Sequence, residues 1–234
     1  AKAAAGVLEV STAADTEGAL NPVRCAWLVP TADLKIAAYS AFAKDTVRYV
    51  GVCVGVVGAK IRYQAQDALD LIDVEYEPLP PMADPERGLE PGAALSHPEL
   101  GTNQAFSWPM KGGDVEGAFA RASRVVKVRL DHGRLAGVPM EPRGVLARYD
   151  AGSEELTLWL TTQNPFLSRA DLATVLGFPE HKLRVIAPDV GGGFGVKGPL
   201  YREEIVAAAL ARQIDRPLRW TSTRTEDLLT TIQA

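Results

Sequence analysis

Apolar residues recur at two spacings in the first third of the chain, and together they predict strands and a helix. The Val-rich stretch DTVRYVGVCVGVVGA (45–59) has the composition of a buried strand. Residues 62–72 place apolar side chains on one helical face. DVEYE (73–77) alternates acidic and apolar positions, as a half-exposed strand does. The order strand, helix, strand predicts a βαβ crossover that ends near Pro80.

The second half of the chain has a mixed pattern that predicts an α+β fold. Asp114 is a predicted N-cap, and Ser168 a predicted start of a helix that stops at Gly177. GVLARYDAGSEELTLWLTTQ predicts a hairpin that turns at 150–153. The remaining predicted elements are strands at 124–130, 182–188 and 218–223 and a helix at 200–213.

A proline-rich stretch separates these two halves. Five prolines precede Gly92 within residues 78–113, and proline fixes the backbone while removing a donor. We therefore expect an ordered but irregular linker. The predicted organisation is a first domain at 1–80, a linker at 81–113 and a second domain at 114–234.

Composition and charge narrow the possible partners. The net charge of -4 does not favour binding to nucleic acid, and no apolar run has the length of a membrane span. Cys25 and Cys53 form no zinc, iron–sulfur or disulfide pattern, so a reducing, cytoplasmic location is expected. The start is not a signal peptide, and both ends look cut, so we expect a piece of a longer protein.

The stretch APDVGGGFGVKG is the strongest candidate for a ligand site. Glycines without a Cβ let other atoms approach the backbone, and a glycine run before a helix can aim N–H groups at an anion or a polarised oxygen. Gly193, Gly195 and Gly198 also fit the dinucleotide pattern G-x-G-x-x-G. The next strand, however, offers Arg224 before any acidic residue, which weakens that interpretation.

Gln163 is the second candidate, because it stands where a predicted strand ends. A neutral carboxamide can donate a hydrogen bond to an oxo group without adding charge. If Gln163 and the loop at 191–195 lie at the same edge of one sheet, they could hold one polar ligand between them.

Six stretches in the same order make the chain resemble the molybdenum-binding large subunit of the molybdenum hydroxylases, which include xanthine dehydrogenase, aldehyde oxidase and aerobic carbon monoxide dehydrogenase. The stretches are VRYVG with RYQAQDALDLIDVEYEPLP, GDVEGAFARA, PMEPRGVLARYD, LTLWLTTQNPF, LGFPEHKLRVIAPDVGGGFGVK and RPLRWTSTRTEDLLTT. The resemblance implies an a/b hammerhead domain at 1–80 and the first part of a molybdopterin-binding domain at 114–234.

The resemblance also implies roles for particular residues. Gln163 would hydrogen-bond the apical oxygen of molybdenum, and Gly192, Gly193, Phe194 and Gly195 would lie against the cofactor. Phe194 would border the substrate pocket. Gln163 and Gly195 would lie near the oxo ligands, and the chain would provide no direct metal ligand.

The activity implied by the resemblance is hydroxylation or oxidation of carbon monoxide, an aldehyde or an N-heterocycle, with water as the oxygen source. The cofactor would be molybdopterin, with the cytosine dinucleotide form as one option. Electrons would pass to 2Fe-2S and FAD on partner chains. The general base of the family, a Glu, falls outside this sequence, so no catalytic residue is assigned within it. Gly198 stands where xanthine dehydrogenases commonly have Glu, which disfavours purine substrates.

Other residues have structural interpretations, and other functions stay open. Glu141 is expected to order a turn, and Arg224 and Glu226 to form an ion pair. One alternative function is a non-catalytic fragment or assembly module of such a complex. A further alternative is an NAD(P)-dependent dehydrogenase.

Overall fold

Two segments that are distant in sequence form an antiparallel sheet near the start of the chain. β1 (Val7–Thr12) pairs with β2 (Gly55–Ala59), and α1 (Arg62–Leu69) follows directly. The computed structural model describes residues 1–23, 25 and 33–232. These fall into two compact units: residues 1–23, 25, 38–79 and 136–232 form the first, and residues 33–37 and 80–135 form the second.

The predicted βαβ crossover is wrong. The strand predicted at 45–59 forms only over its last five residues, and its partner is β1, which pattern analysis did not identify. Residues 73–77 form no strand, and Val74 and Tyr76 are exposed. Alternating polarity yields a strand only where a neighbouring strand accepts its hydrogen bonds. No strand of the described residues lies beside 73–77.

The second half of the chain contributes a sheet that has four strands in the described residues, in the order β5-β4-β3-β6. β3 pairs with β4 and with β6 in antiparallel register, whereas β4 and β5 are parallel. The predicted hairpin is confirmed: Asp150 Oδ1 accepts hydrogen bonds from Gly152 N and Ser153 N at 3.0 Å each. The strands are β3 (Gly144–Asp150), β4 (Glu155–Leu160), β5 (Leu183–Ile186) and β6 (Leu218–Thr221).

Two helices of this unit, α3 (Pro165–Leu176) and α4 (Arg202–Gln213), form the core with the sheet. Alternate residues of a strand share one face, which explains why every second residue of β4 is buried. The fully buried apolar side chains include Leu156, Leu158 and Leu160 of β4, Leu172 and Val175 of α3, and Ile205 and Ala208 of α4. None of the helices in the described residues is both long and apolar enough to cross a membrane.

One helix begins earlier than predicted, and one helix was not predicted. α3 begins at Pro165 after Asn164, so Ser168 lies inside the helix, where its hydroxyl is 3.2 Å from that of Thr162. The left-handed Gly177 ends the helix as predicted. A further helix, α5 (Arg224–Thr230), was not predicted, although the capping-box pair described next is a sequence signal for it.

The expected ion pair between Arg224 and Glu226 is not formed. Glu226 instead accepts a hydrogen bond from Thr223 N at 2.7 Å, while Thr223 Oγ1 accepts one from Glu226 N at 3.1 Å. Arg224 donates to Met140 O at 2.8 Å and lies 3.7 Å from Asp227. The Glu226 carboxylate is therefore engaged in the capping box and does not pair with Arg224.

Arg143 anchors the start of β3 to α4 and α5. Its side chain is fully buried and lies 3.1 Å from Asp227 of α5 and 3.2 Å from Glu203 of α4. The guanidinium also stacks 4.0 Å from the centre of the Tyr201 ring. Because Tyr201 immediately precedes α4, this cluster fixes the point at which the chain enters that helix.

The second unit has little regular structure in its described residues. α2 (Val115–Arg121) begins as predicted, since Asp114 Oδ1 accepts from Gly117 N at 2.9 Å. Asn103 orders the proline-rich stretch by donating to Gly88 O and Ala94 O at 3.0 and 2.9 Å. The strand predicted at 124–130 is wrong, because no described strand lies beside it to accept its hydrogen bonds.

Candidate functional site

The glycine-rich stretch lies between β5 and α4, and we call residues 191–198 the glycine loop. Two tight turns shape it, closed by Val196 N donating to Gly193 O and Gly198 N donating to Gly195 O, both at 3.0 Å. Gly192 and Gly195 have φ of +92° and +87°, which glycine adopts without steric cost. Glycine at positions 192 and 195 therefore follows from the path of the loop.

Gln163 lies directly against this loop, as hypothesised from the sequence. Its side-chain Oε1 accepts hydrogen bonds from Gly195 N at 3.0 Å and Lys197 N at 3.2 Å, and its backbone N–H donates to Lys197 O at 2.9 Å. The cause is the parallel pairing of β4 and β5: the ends of parallel strands meet at the same sheet edge. Gln163 follows one of these strands and the glycine loop follows the other.

The close fit between Gln163 and the loop depends on Gly193. A Cβ on Gly193 would lie 2.5 Å from Gln163 Oε1 and 2.6 Å from its Cδ. The carboxamide has a fixed orientation because two backbone N–H groups donate to its Oε1. Its Nε2 group makes no hydrogen bond within the described residues. The side chain can therefore donate to a ligand.

Backbone N–H groups of the loop divide into engaged and free donors. Gly192 N donates to Val190 O at 2.9 Å, and Gly195 N donates to Gln163. Gly193 N and Phe194 N have no acceptor in the part of the chain that the structure describes. Two adjacent free N–H groups and one carboxamide N–H₂ form a neutral donor set, which suits an oxygen acceptor on a ligand.

Phe194 has an unusual backbone for a large residue. Its φ is +52°, a left-handed conformation that disfavours any side chain with a Cβ, and the residue is 72% exposed. Neither burial of the ring nor backbone preference explains a phenylalanine there. Strained residues of this kind are concentrated at functional sites.

A carboxylate fixes the far side of the loop. Glu141 Oε2 accepts a hydrogen bond from Gly191 N at 2.8 Å and lies 2.9 Å from the ammonium of Lys197. Glu141 thus orders the glycine loop, and its pairing with a buried lysine was not predicted.

The described residues contain neither a cluster of three metal-ligand side chains nor the strand order of a dinucleotide-binding fold. Within residues 1–23, 25 and 33–232, no three His, Cys, Asp or Glu side chains converge as a metal site. The dinucleotide fingerprint requires adjacent parallel strands on either side of its helix. Here β5 and β6, which flank α4, lie at opposite edges of the sheet.

Two family profiles match the chain. Residues 96–234 match the profile described as molybdopterin cofactor-binding domain. Residues 1–80 match the profile described as aldehyde oxidase and xanthine dehydrogenase, a/b hammerhead domain. The first of these matches includes both the glycine loop and Gln163.

Curated relatives resemble this chain over most of its length. A nicotine 6-hydroxylase large subunit from Paenarthrobacter nicotinovorans is 39% identical over 80% of this chain and 23% of its own length. A carbon monoxide dehydrogenase large chain from Afipia carboxidovorans is 37% identical over 99% of this chain and 29% of its own length. The chain therefore spans less than a third of each of these relatives.

A solved structure, quinoline 2-oxidoreductase from Pseudomonas putida 86, superposes with a TM-score of 0.92 at 34% identity. That match covers 100% of this chain and 29% of the solved chain. A copper- and molybdenum-containing carbon monoxide dehydrogenase gives a TM-score of 0.85, also at 34% identity, over 100% of this chain and 30% of its own.

Proposed function

Because the chain belongs to the aldehyde oxidase and xanthine dehydrogenase family with a molybdopterin cofactor-binding domain, we propose that its glycine loop and Gln163 bind the molybdenum cofactor. The observation that carries the proposal is the donor set of the loop. Gly193 N, Phe194 N and Gln163 Nε2 have no acceptor among the described residues, whereas Gln163 Oε1 is engaged by the loop itself.

The loop residues would act by fixed hydrogen bonding. Preorganised neutral donors stabilise negative charge on an oxygen ligand without changing protonation state. Gly192 and Gly195 contribute by shaping the loop, because their own N–H groups are engaged within the protein. When bound, the molybdenum cofactor supplies the redox chemistry that oxidises a substrate with oxygen taken from water.

Phe194 would form an apolar wall beside the cofactor. Its exposed ring offers a flat surface for a small substrate, for which we propose carbon monoxide, an aldehyde or an N-heterocycle. The relatives named nicotine 6-hydroxylase and quinoline 2-oxidoreductase act, by their names, on N-heterocycles, which makes this class the first to test. Gly198 offers no carboxylate to grip a purine.

The complete activity requires more than this chain. We propose that the remainder of the molybdenum subunit supplies the catalytic Glu, and that Fe-S and FAD subunits accept the electrons. The cofactor would be molybdopterin, with the cytosine dinucleotide as one form, and the complex would be cytoplasmic. Relatives named as large subunits and as a complex subunit are consistent with such an assembly.

Metal and pterin analysis of the complete native complex tests the proposal. We expect about one molybdenum and one pterin per large subunit, and a marked loss of both in Gln163→Ala and in the double variant Gln163→Ala with Phe194→Ala. Gln213→Ala, an exposed glutamine at the end of α4, is the matched control and should retain both. A native complex without molybdenum would contradict the proposal and would favour a non-catalytic assembly module. Quenching of Trp fluorescence when NAD(P) is added to the protein would instead support the alternative function, an NAD(P)-dependent dehydrogenase.

A further inference from the structure

Lys197 is an unusual residue within the glycine loop, because its side chain is fully buried. Its Nζ lies 2.9 Å from Glu141 Oε2. Lysine is almost never fully buried without a partner, since removing an ammonium from water is unfavourable. An apolar side chain would fill this position without that cost, so the charge calls for an explanation.

Glu141 connects Lys197 to the opposite end of the same loop. The oxygen that contacts Nζ also accepts from Gly191 N at 2.8 Å, and Glu141 N donates to Gly191 O at 3.2 Å. A Cβ on Gly191 would lie 2.6 Å from Glu141 Cβ, so this contact requires glycine. One carboxylate oxygen thus holds both Gly191 and Lys197.

The main chain of Lys197 makes a second set of contacts, with the end of β4. Lys197 N donates to Gln163 Oε1 at 3.2 Å, and Lys197 O accepts from Gln163 N at 2.9 Å and from Thr162 Oγ1 at 3.3 Å. Lys197 is therefore bonded through its side chain to Glu141 and through its main chain to Gln163. A shift of Lys197 would change the orientation of the carboxamide.

We infer that Glu141 and Lys197 are a positioning pair that holds the glycine loop closed, so that Gln163 Nε2 and the two free N–H groups stay directed to the ligand. This inference rests on the proposed function. Neither residue touches the cofactor in this scheme; both act through Gln163 and the loop. The pair is charged because a single carboxylate oxygen can accept from an ammonium and a backbone N–H at once, which an apolar contact cannot do.

Neutral variants of the complete large subunit in its native complex test the inference. Lys197→Met removes the charge and keeps an unbranched stem, and Glu141→Gln keeps an acceptor for Gly191 N. Each single variant leaves a charge unpaired, so it should lose thermal stability. The double variant leaves no unpaired charge, and its melting temperature should return close to the wild-type value.

The decisive readouts are cofactor retention and hydrogen exchange of residues 191–198. We expect the double variant to lose molybdenum about tenfold more readily than wild type, and its loop amides to exchange faster, despite the recovered stability. Lys182→Met with Glu154→Gln is the matched control, because that ion pair has the same residue types and lies at the surface. It should change neither readout.

Two outcomes separate this inference from the proposed function. If wild type holds molybdenum and the double variant holds it equally well with unchanged loop exchange, the pair is merely structural and the inference is wrong. If the wild-type complex holds no molybdenum, the proposed function fails. The exchange comparison on the same proteins then still decides whether the pair closes the loop.

Discussion

At the scale of single residues, Gly193 determines whether Gln163 can lie on the loop. Its φ is not in the left-handed region, so an alanine would be acceptable to the backbone, but its Cβ would overlap Gln163 Oε1 at 2.5 Å. We expect Gly193→Ala to displace the carboxamide, with a loss of about 1–3 kcal/mol of stability from the overlap. Urea unfolding and molybdenum content measure the two effects.

Gly133→Ala is the matched control for this prediction. A Cβ added to Gly133 would meet no heavy atom of the described residues within 4 Å, and the backbone there has no left-handed φ. The variant should therefore retain both stability and molybdenum. If Gly193→Ala behaves in the same way, then Gln163 is not held by the contacts described above.

Phe194 allows backbone strain to be measured separately from side-chain function. Because its φ is +52°, glycine should be favoured over alanine at this position by about 1 kcal/mol, since only alanine keeps a Cβ in the left-handed region. We therefore expect Phe194→Gly to be more stable than Phe194→Ala in thermal unfolding. Both variants lose the exposed ring, so both should weaken substrate binding equally. Equal stability of the two variants would show that the backbone at Phe194 is unstrained.

At the scale of elements, Arg143 joins β3 to α4 and α5. Arg143→Met should destabilise the protein by about 3–5 kcal/mol, because buried Asp227 would lose its nearest cation at 3.1 Å and keep only Arg224 at 3.7 Å. Arg148→Met is the control, since Arg148 lies 3.9 Å from Asp150 on the surface and an exposed pair contributes about 0–1 kcal/mol. The urea midpoint of Arg143→Met should therefore be lower than that of Arg148→Met. Similar midpoints would mean that the helices are anchored by packing alone.

The first turn of α4 makes the stability of the fold depend on pH. Burial raises the pKa of Glu204 to about 7 from 4.5, although a hydrogen bond from Tyr201 N and the charge of Arg143 act in the opposite direction. At pH values between 4.5 and about 7, Glu204 keeps its proton in the native state but has lost it in the unfolded state. The free energy of unfolding should therefore fall as pH rises from 4.5 to 7, by an amount on the order of 3 kcal/mol.

Glu204→Gln isolates this contribution, because glutamine can still accept from Tyr201 N but cannot ionise. The difference in unfolding free energy between wild type and variant should change across this pH range and be constant above it. Urea unfolding at several pH values measures the difference. A difference that does not vary with pH would show that Glu204 titrates normally.

At the scale of the whole molecule, sequence patterns predicted the features that depend on residues close together in the chain. The β3–β4 hairpin and the end of α3 at Gly177 follow from turn residues within a few positions, whereas the start of α3 at Pro165 was predicted three residues too late. The pairing of β1 with β2 was missed because these segments are far apart in sequence and carry no shared signal. Chain topology, rather than pattern, sets such contacts.

The candidate site could likewise be predicted only in part. Gln163 and the glycine loop could be recognised individually, and the resemblance to a family placed them together. Parallel pairing of β4 with β5 is the physical reason that they meet. The buried pair of Lys197 and Glu141 could not be predicted, because burial of a lysine depends on tertiary packing that leaves no periodic trace in the sequence.

Residues 124–130 give the last prediction, which concerns the chain in its complete subunit. Val126, Val128 and Leu130 alternate with Lys127 and Arg129, yet Leu130 is 87% exposed and no described strand lies alongside. Exposed apolar alternation of this kind is the pattern of a strand that has one face to bury. Since the chain spans 23% of one relative and 29% of another, we expect the remaining part of such a large subunit to supply the neighbouring strand.

Hydrogen exchange measures that pairing directly, because a strand amide exchanges slowly only when it donates to a neighbour. The amides of 124–130 should exchange at least about tenfold more slowly in the complete subunit than in the 234-residue chain. Those of β5, which already pair with β4, should exchange at similar rates in both proteins and serve as the internal control. Fast exchange of 124–130 in both proteins would contradict the predicted pairing with a neighbouring strand.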